Sequence, residues 1–192
     1  MEEFGKSIRA RRIEQRKTIK DIAASTKLSP AYISRMERGE INPSVATIKK
    51  IADTLGINIA DLFQKNNDEK RSLNNGRNIR KVLHENERLK LTYPGLNFSG
   101  YLLTPTIHNI GIEFILVVAE PEGGSGKDSY SHQRGEECIL VQEGEMTLWI
   151  EDDIYILKTG ESIHFESHIP HKWKNSGKTE MKAIWVIVPP TY

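Results

Sequence analysis

Cysteine is nearly absent: Cys138 is the single thiol among 192 residues. One thiol cannot form an intramolecular disulfide, and it excludes a cysteine-based zinc site. Long apolar runs are also missing, and none approaches the roughly 20 residues needed to cross a bilayer. The opening residues, Met-Glu-Glu-Phe-Gly-Lys, lack an apolar signal core. Secretion and a membrane partner are therefore not expected, and the chain reads as cytoplasmic. A strong excess of one charge sign is missing as well, since the net charge is +1. With 28% charged and 38% hydrophobic residues the composition is that of a globular protein, neither disordered nor membrane-embedded. The length suits one large domain or two small ones.

The small net charge hides an asymmetry. Residues 1–64 hold 12 Lys/Arg against 8 Asp/Glu, and the remainder holds 15 against 18. Seven of the basic residues fall within the first 20 positions. This points to a polyanion partner for the front part, the alternative being a solvated helix face. Residues 64–78 are almost devoid of apolar side chains and cannot help to bury a core. Helical periodicity precedes them, and β-branched and aromatic runs with glycine-rich turns follow. Two domains are therefore expected, residues 1–64 and 80–192, joined by a linker at 65–79.

The front part reads as five short helices. Phe4 and Ile8 open an amphipathic stretch that runs to about Arg16. Thr18 and Asp21 form an approximate capping box for a second helix, with Ile22, Ala23 and Thr26 along its inner side. Ser29-Pro30 is a strong start signal for a third helix, which runs to about Glu37 and stops at Gly39. Pro43-Ser44 begins a fourth, with Val45, Ile48, Ile51 and Leu55 at core spacing and Gly56 at its end. Ile59 to Phe63 is expected to form a short fifth.

The run from Thr18 to Leu55, TIKDIAASTKLSPAYISRMERGEINPSVATIKKIADTL, closely resembles the Xre-type helix-turn-helix family of phage repressors and bacterial regulators. The resemblance covers roughly residues 4–63. It implies a lambda-repressor-like, five-helix domain that binds a double-stranded DNA operator and inserts its third helix into the major groove. Pro30, Ala31, Ser34 and Arg35 fall on the face of that helix opposite Ile33 and Met36. Arginine can bind guanine O6 and N7 bidentately, and Ala31 or Pro30 can meet a thymine methyl. Ser29 and the helix N-terminus suit a phosphate. Lys20, Arg38 and Asn42, at helix starts and ends, suit backbone contacts, and Tyr32 completes the candidate set. The family also commonly ties its first helix to its third by an ion pair, here Arg12 with Glu37. Lys27 stands where the family usually has glycine at the turn, and a left-handed backbone there costs a side chain about 1–2 kcal/mol.

From about Arg80 strands and turns alternate, as in a sandwich or closed barrel. Expected strands are Leu102-Leu103, Ile112–Ala119, Cys138–Gln142, Met146–Ile150, Ile154–Leu157 and Trp185–Val188. Two spaced patterns stand out: Gly124-x5-Tyr130-x-His132-x4-Glu137-x6-Gly144, then Gly160-x5-Glu166-x-His168-x2-His171-x3-Asn175. They resemble the two cupin motifs, including the usual 15-residue separation. The resemblance implies an all-β double-stranded β-helix, or jelly-roll, barrel. In metal-binding cupins the first motif supplies two histidines and a glutamate, and the second a histidine. By position His132, Glu137 and His171 are retained, and Tyr130 replaces the first histidine. Glu166 and His168 stand in place of the family's Pro and Gly. Two imidazoles and one carboxylate suit a single divalent first-row ion such as Zn, Mn, Fe or Ni. The alternative is a hydrogen-bonded polar cluster in a metal-free cavity.

Tyr130, His164 and Trp173 are candidates for contact with an effector. His164 is expected on a surface or cavity wall, Cys138 as a small buried hydrophobe, and Trp149 and Trp185 as barrel core. The domain order resembles bacterial regulators with a cupin sensor, typically dimers. It implies a DNA-binding regulator, not an enzyme, whose barrel binds a small-molecule effector and forms a homodimer. Two other readings remain open: a metal-dependent cupin enzyme fused to a DNA-binding head, and a DNA-binding protein whose barrel only dimerises.

Overall fold

The computed structural model describes residues 2–63, 82–104, 111–132 and 134–190, so the expected linker at 65–79 lies outside the described residues. Four α-helices open the chain: α1 (Glu2–Glu14), α2 (Ile19–Thr26), α3 (Pro30–Glu37) and α4 (Val45–Leu55). The local signals act as expected. Thr18 and Asp21 form the reciprocal capping box of α2. Ser29 Oγ accepts from the Tyr32 amide with Pro30 in the first turn of α3, and Ser44 Oγ accepts from the Thr47 amide of α4. Gly56 ends α4 in the left-handed region.

The fifth helix is a correction. Ile59–Leu62 is a single 3-10 turn. Asn58 starts it, its carbonyl accepting from Asp61 N and its amide donating to the Asp61 carboxylate. Four residues are too few to repay nucleation of an α-helical ladder. Lys27 does occupy the left-handed region, at φ 60 and ψ 25, so the turn between α2 and α3 keeps the geometry that glycine would favour.

The helices bury Phe4, Ile8, Ile22, Ala23, Ile33, Met36, Ile48, Ile51, Ala52, Leu55 and Leu62 together. Gly5 lets α1 lie close on the end of α3, where a Cβ would come within 2.6 Å of the Met36 and Glu37 carbonyl oxygens. The same contact is locked by charge. Arg12 Nε and Nη2 donate to the two Glu37 oxygens at 2.6 and 2.8 Å, and Arg12 Nη1 donates to the Lys17 carbonyl.

The rest of the described chain is β1 (Lys90–Tyr93), β2 (Phe98–Leu102), β3 (Glu113–Ala119), β4 (Glu136–Glu143), β5 (Glu145–Ile150), β6 (Asp153–Lys158), β7 (Ser162–Glu166), β8 (His171–Asn175) and β9 (Met181–Val188). They form a six-stranded sheet in the order β1-β2-β3-β9-β4-β7 and a three-stranded sheet in the order β6-β5-β8, all pairs antiparallel. Alternate residues of β3, β4, β8 and β9 point inward, so the sheets share one core.

This alternation corrects the expectations for Cys138 and Trp149 and places His164 on the surface, one of its two expected positions. On β4, Glu137, Ile139 and Val141 face in, which turns Cys138 and Leu140 out, so Cys138 is exposed. On β5, Trp149 is only partly buried and lies under the Lys172 ammonium, 5.5 Å from its ring centroid, outside the barrel core. On β7, His164 is 57% exposed and pairs with Glu136 at 3.2 Å, so it does not line the interior. Trp185 is core, as expected.

The two parts touch directly. Val45 belongs to α4 yet packs in the barrel's apolar cluster, and Phe63 and Tyr93 border both clusters. The Val45 amide donates to the Ser125 carbonyl at 3.0 Å, and Ser44 Oγ donates to Asp128 Oδ2 at 3.0 Å. Gly95 and Gly126, both at positive φ, press against the side chains of Asn42 and Ser44 and leave no room for a Cβ. Asn42 therefore sits at this junction.

The Arg12–Glu37 pair, 11% and 5% exposed, gives a direct prediction. Glu37→Ala leaves a buried guanidinium unpaired, and urea unfolding is expected to show a loss of about 3 kcal/mol. An unchanged midpoint would assign the α1–α3 contact to apolar packing alone.

Candidate metal centre and cavity

Glu137 stands on β4 between two outward residues, at the register position facing Ile187 of β9 and Phe165 of β7. His171 opens β8 and is joined to Tyr130 by a reciprocal pair of backbone hydrogen bonds, each 2.9 Å. The loop that follows Tyr130 brings in His132, whose amide donates to the Ser167 carbonyl. Both motifs thus converge inside the barrel.

His132 Nε2 and His171 Nε2 lie 3.3 and 3.4 Å from Glu137 Oε1. One donor atom from each residue lies within 4.8 Å of the other two. All three side chains are buried, Glu137 and His171 completely. Neighbouring groups fix their orientation. The Ile169 carbonyl accepts from His171 Nδ1 at 2.9 Å, which puts the proton on Nδ1 and turns the Nε2 lone pair to the site. Trp185 Nε1 donates to Glu137 Oε2 at 3.0 Å, leaving Oε1 toward the imidazoles. Glu137 Oε1 and His171 Nε2 are buried without a hydrogen-bond partner. A buried polar atom in that condition costs about 1–3 kcal/mol, and a cation between them removes the cost.

Burial governs the protonation of the cluster. It pushes the Glu137 carboxyl up to about 8, opposed by the Trp185 hydrogen bond. It pushes His132 down to about 3, helped by the charge of Lys49. It pushes His171 down to about 4, opposed by the bond to the Ile169 carbonyl. Near pH 7 both imidazoles are neutral, the form that ligates metal, while Glu137 holds a proton that a metal ion would have to displace. The donor set and the orphaned atoms fit a divalent ion. The Tyr130 ring packs edge-on against His171 (4.3 Å) and His132 (5.7 Å).

A cavity of about 80 Å³ adjoins the cluster, walled by Val45, Ile59, Leu91, Tyr93, Phe98, Gly100, Glu113, Ile115, Val117, Tyr130, His132, Trp173, Trp185 and Ile187. Of the expected effector contacts, Tyr130 and Trp173 line it and His164 does not. Glu166 and His168 pair with each other at 3.1 Å and are more than half exposed. Tyr93, Phe98 and Glu113 went unnoticed in the sequence. Glu113 had a signal: it falls in phase with the inward Ile115, Val117 and Ala119. Val45 and Ile59 had none, because they come from the helical part.

On the helical side α3 buries Ile33, Met36 and Glu37 and exposes Ser29, Pro30, Ala31, Arg35 and Arg38, while Tyr32 and Ser34 are half-buried. Glu40 takes Arg38 Nε at 2.5 Å and lies 3.7 Å from Arg35 Nε. Lys20 is exposed at the start of α2. The structure thus brings Pro30, Ala31 and Arg35 onto one open helix face and leaves Asn42 against the barrel.

Two family models match separate parts of the chain. Residues 8–62 match the helix-turn-helix family HTH_3, and residues 115–187 match the cupin domain family Cupin_2. The chain belongs to the helix-turn-helix transcriptional regulators that carry a C-terminal cupin domain. It is 25% identical over 190 residues to the HTH-type transcriptional regulator PuuR of Escherichia coli, covering 98% of this chain and 96% of that one. It is 30% identical over 101 residues to the immunity repressor protein of Bacillus phage phi105, covering 50% of this chain and 70% of that one. An HTH_3 family transcriptional regulator from Vibrio cholerae shares the fold at TM-score 0.68 and 23% identity, covering 98% of this chain and 96% of that one.

Asn175 holds the strand that carries His171 and Trp173. Its Nδ2 donates to the Ala119 and Thr179 carbonyls, its Oδ1 accepts from the Gly177 amide, and all three bonds are 2.9 Å. Asn175→Ala strands these buried groups and is expected to cost about 3 kcal/mol in thermal or urea unfolding. A loss below about 0.5 kcal/mol would show that backbone pairing, to β5 and to the Gly123–Tyr130 segment, holds β8 without the Asn175 side chain.

Proposed function

We propose that this regulator reads a DNA operator with α3 and senses a small-molecule effector in its barrel. Residues 1–64 serve as the DNA head, residues 80–192 as the sensor, and 65–79 as the connection. The open face of α3, with Pro30, Ala31 and Arg35 outward and Ile33 and Met36 behind them, carries the reading. An α-helix of this kind fits the major groove, and Arg35 has the fork that reads guanine. Ser29 with the α3 N-terminus, Lys20, Tyr32, Ser34 and Arg38 supply phosphate and flanking contacts. Asn42 acts from the junction with the barrel.

In the barrel, His132, Glu137 and His171 hold one divalent first-row ion, and Tyr130 and Trp173 contact the effector. The ion supplies a Lewis-acidic anchor for a ligand heteroatom. The protein side chains orient it, exclude water and keep the imidazoles neutral. The barrel binds its ligand without turning it over, a reading supported by the likeness to transcriptional regulators over nearly the whole chain. Ile154 and Ile156 lie 61% and 59% exposed on the edge strand β6, which supports pairing with a second copy. A homodimer sets two α3 helices for half-sites about 34–36 Å apart.

Selection from random duplexes is expected to yield a defined operator. Arg35→Ala should weaken it by about 1–3 kcal/mol at one base pair and relax preference there. An equal loss on random DNA would assign Arg35 to phosphate. Native mass spectrometry of the intact protein is expected to give a dimer with one ion per chain, and His171→Ala should lose the ion. A protein still metal-free after incubation with Zn, Mn, Fe and Ni would leave the cluster as a polar lining.

A further inference from the structure

The wall of the barrel cavity is not made by the barrel alone. Val45, the first residue of α4, and Ile59, in the 3-10 turn, both line it. Val45 is 8% exposed and packs with barrel residues rather than with the helical core. Among the described residues, the hydrogen bonds across this contact include the Val45 amide on Ser125 O and the Ser44 hydroxyl on Asp128. The remaining wall comes from β1, β2, β3, β8, β9 and the Tyr130–His132 segment, which are tied into the sheets or to β8 by backbone pairing.

Size turns this arrangement into a device. The cavity holds about 80 Å³. A cavity of roughly 150 Å³ accepts benzene, and sites for drug-sized ligands run to roughly 300 Å³ and more. The cavity is partly open to solvent, and in the docked arrangement its inner part is too small to enclose a ring-sized ligand. A protein interior does not stretch; one of its packed surfaces must separate. The wall contributed by the helices is the one not fastened by strand pairing.

A chain of ring contacts links the two sides. Phe4 of α1 stacks on Phe63 (5.3 Å), Phe63 meets Tyr93 (5.1 Å), and Tyr93 stacks on Phe98 (4.4 Å). Phe98 meets Trp173 (4.9 Å), and Trp173 meets Trp185 (5.3 Å), the donor to Glu137. Tyr93, Phe98, Trp173 and Trp185 are all cavity wall. A body inserted among them must displace rings that run unbroken into the helical core.

We propose that the DNA head is the movable wall of the effector cavity: a ligand with an apolar body the size of benzene or larger enters only as Val45 and Ile59 lift away, so that filling the cavity undocks the head from the barrel. This rests on the sensor reading above and adds its ligand class and its route of signalling. Docking and occupancy then compete, and any ligand that prefers the lifted arrangement shifts the population toward it.

The Val45 amide reports docking directly, because its hydrogen is covered by Ser125 O. The test is residue-resolved amide exchange on the full chain, with a bulky side chain standing in for ligand. Val117→Trp fills the cavity from the barrel, and Ile59→Trp fills it from the head. Each is expected to raise exchange of the Val45 amide at least tenfold, while the Tyr130 and His171 amides of the barrel and the Ile33 amide of the head stay protected. If one variant loses protection throughout, it has unfolded, and the other decides. A Val45 amide that stays protected in a folded variant overturns the proposal, since the cavity then enlarges elsewhere. Failure of the sensor reading shows separately, as unchanged operator affinity in variants whose Val45 amide does exchange faster.

Discussion

A fully buried carboxyl group sets the terms for the barrel. Glu137 has no exposure to solvent, and the Trp185 indole N–H donates to it. Burial of a charge is costly, and the protein answers in the usual ways: it raises the carboxyl's proton affinity and surrounds it with groups that can share a cation. His132 and His171 are kept neutral by the same burial, so their lone pairs rather than their charges face Glu137. Strand register, the Trp185 orientation and the Tyr130–His171 bridge all serve to hold this one arrangement. The arrangement is polar and buried, and its Glu137 Oε1 and His171 Nε2 have no protein hydrogen-bond partner, which suits it to receive a ligand rather than to brace the fold.

The helical part solves the opposite problem. Its buried charge, Glu37, has a full partner in Arg12, and the pair is structural. Around it the sequence states its own boundaries: Thr18 with Asp21, Ser29 with Pro30, Ser44, and Gly56 each make the cap or stop that their side chains favour. This consistency between local chemistry and packing leaves the outer face of α3 free of structural duty.

Much of the fold was legible because these signals are short-ranged. Caps act over three residues, and the resemblance of the two spaced motifs to those of the cupins implies that His132, Glu137 and His171 come together. The fifth helix failed because Ile59 to Phe63 has helical residues but too little length for an α-helical ladder. Cys138 and Trp149 were misplaced because each lies in an apolar run in which strand phase, not hydrophobicity, decides the side. Only pairing fixes that phase, and Glu137 would have supplied it for Cys138. The short strand at Lys90–Tyr93 and the contribution of Val45 and Ile59 to the cavity depend on partners far along the chain. No local pattern encodes such meetings.

Glu40 gives the exposed end of α3 a property of its own. It already engages Arg38 through two nitrogens and stands close to Arg35, and these pairings hold its carboxyl below the usual range. The two guanidiniums are thus not bare. A nucleic acid approaching this helix end exchanges one anionic partner for another, and a lone phosphate gains little by the trade. A surface that presents both a phosphate and the paired acceptors of a guanine edge gains more, because it offers a bidentate match in addition to charge. One carboxylate therefore offsets part of the positive charge that two guanidiniums would otherwise present at this helix end.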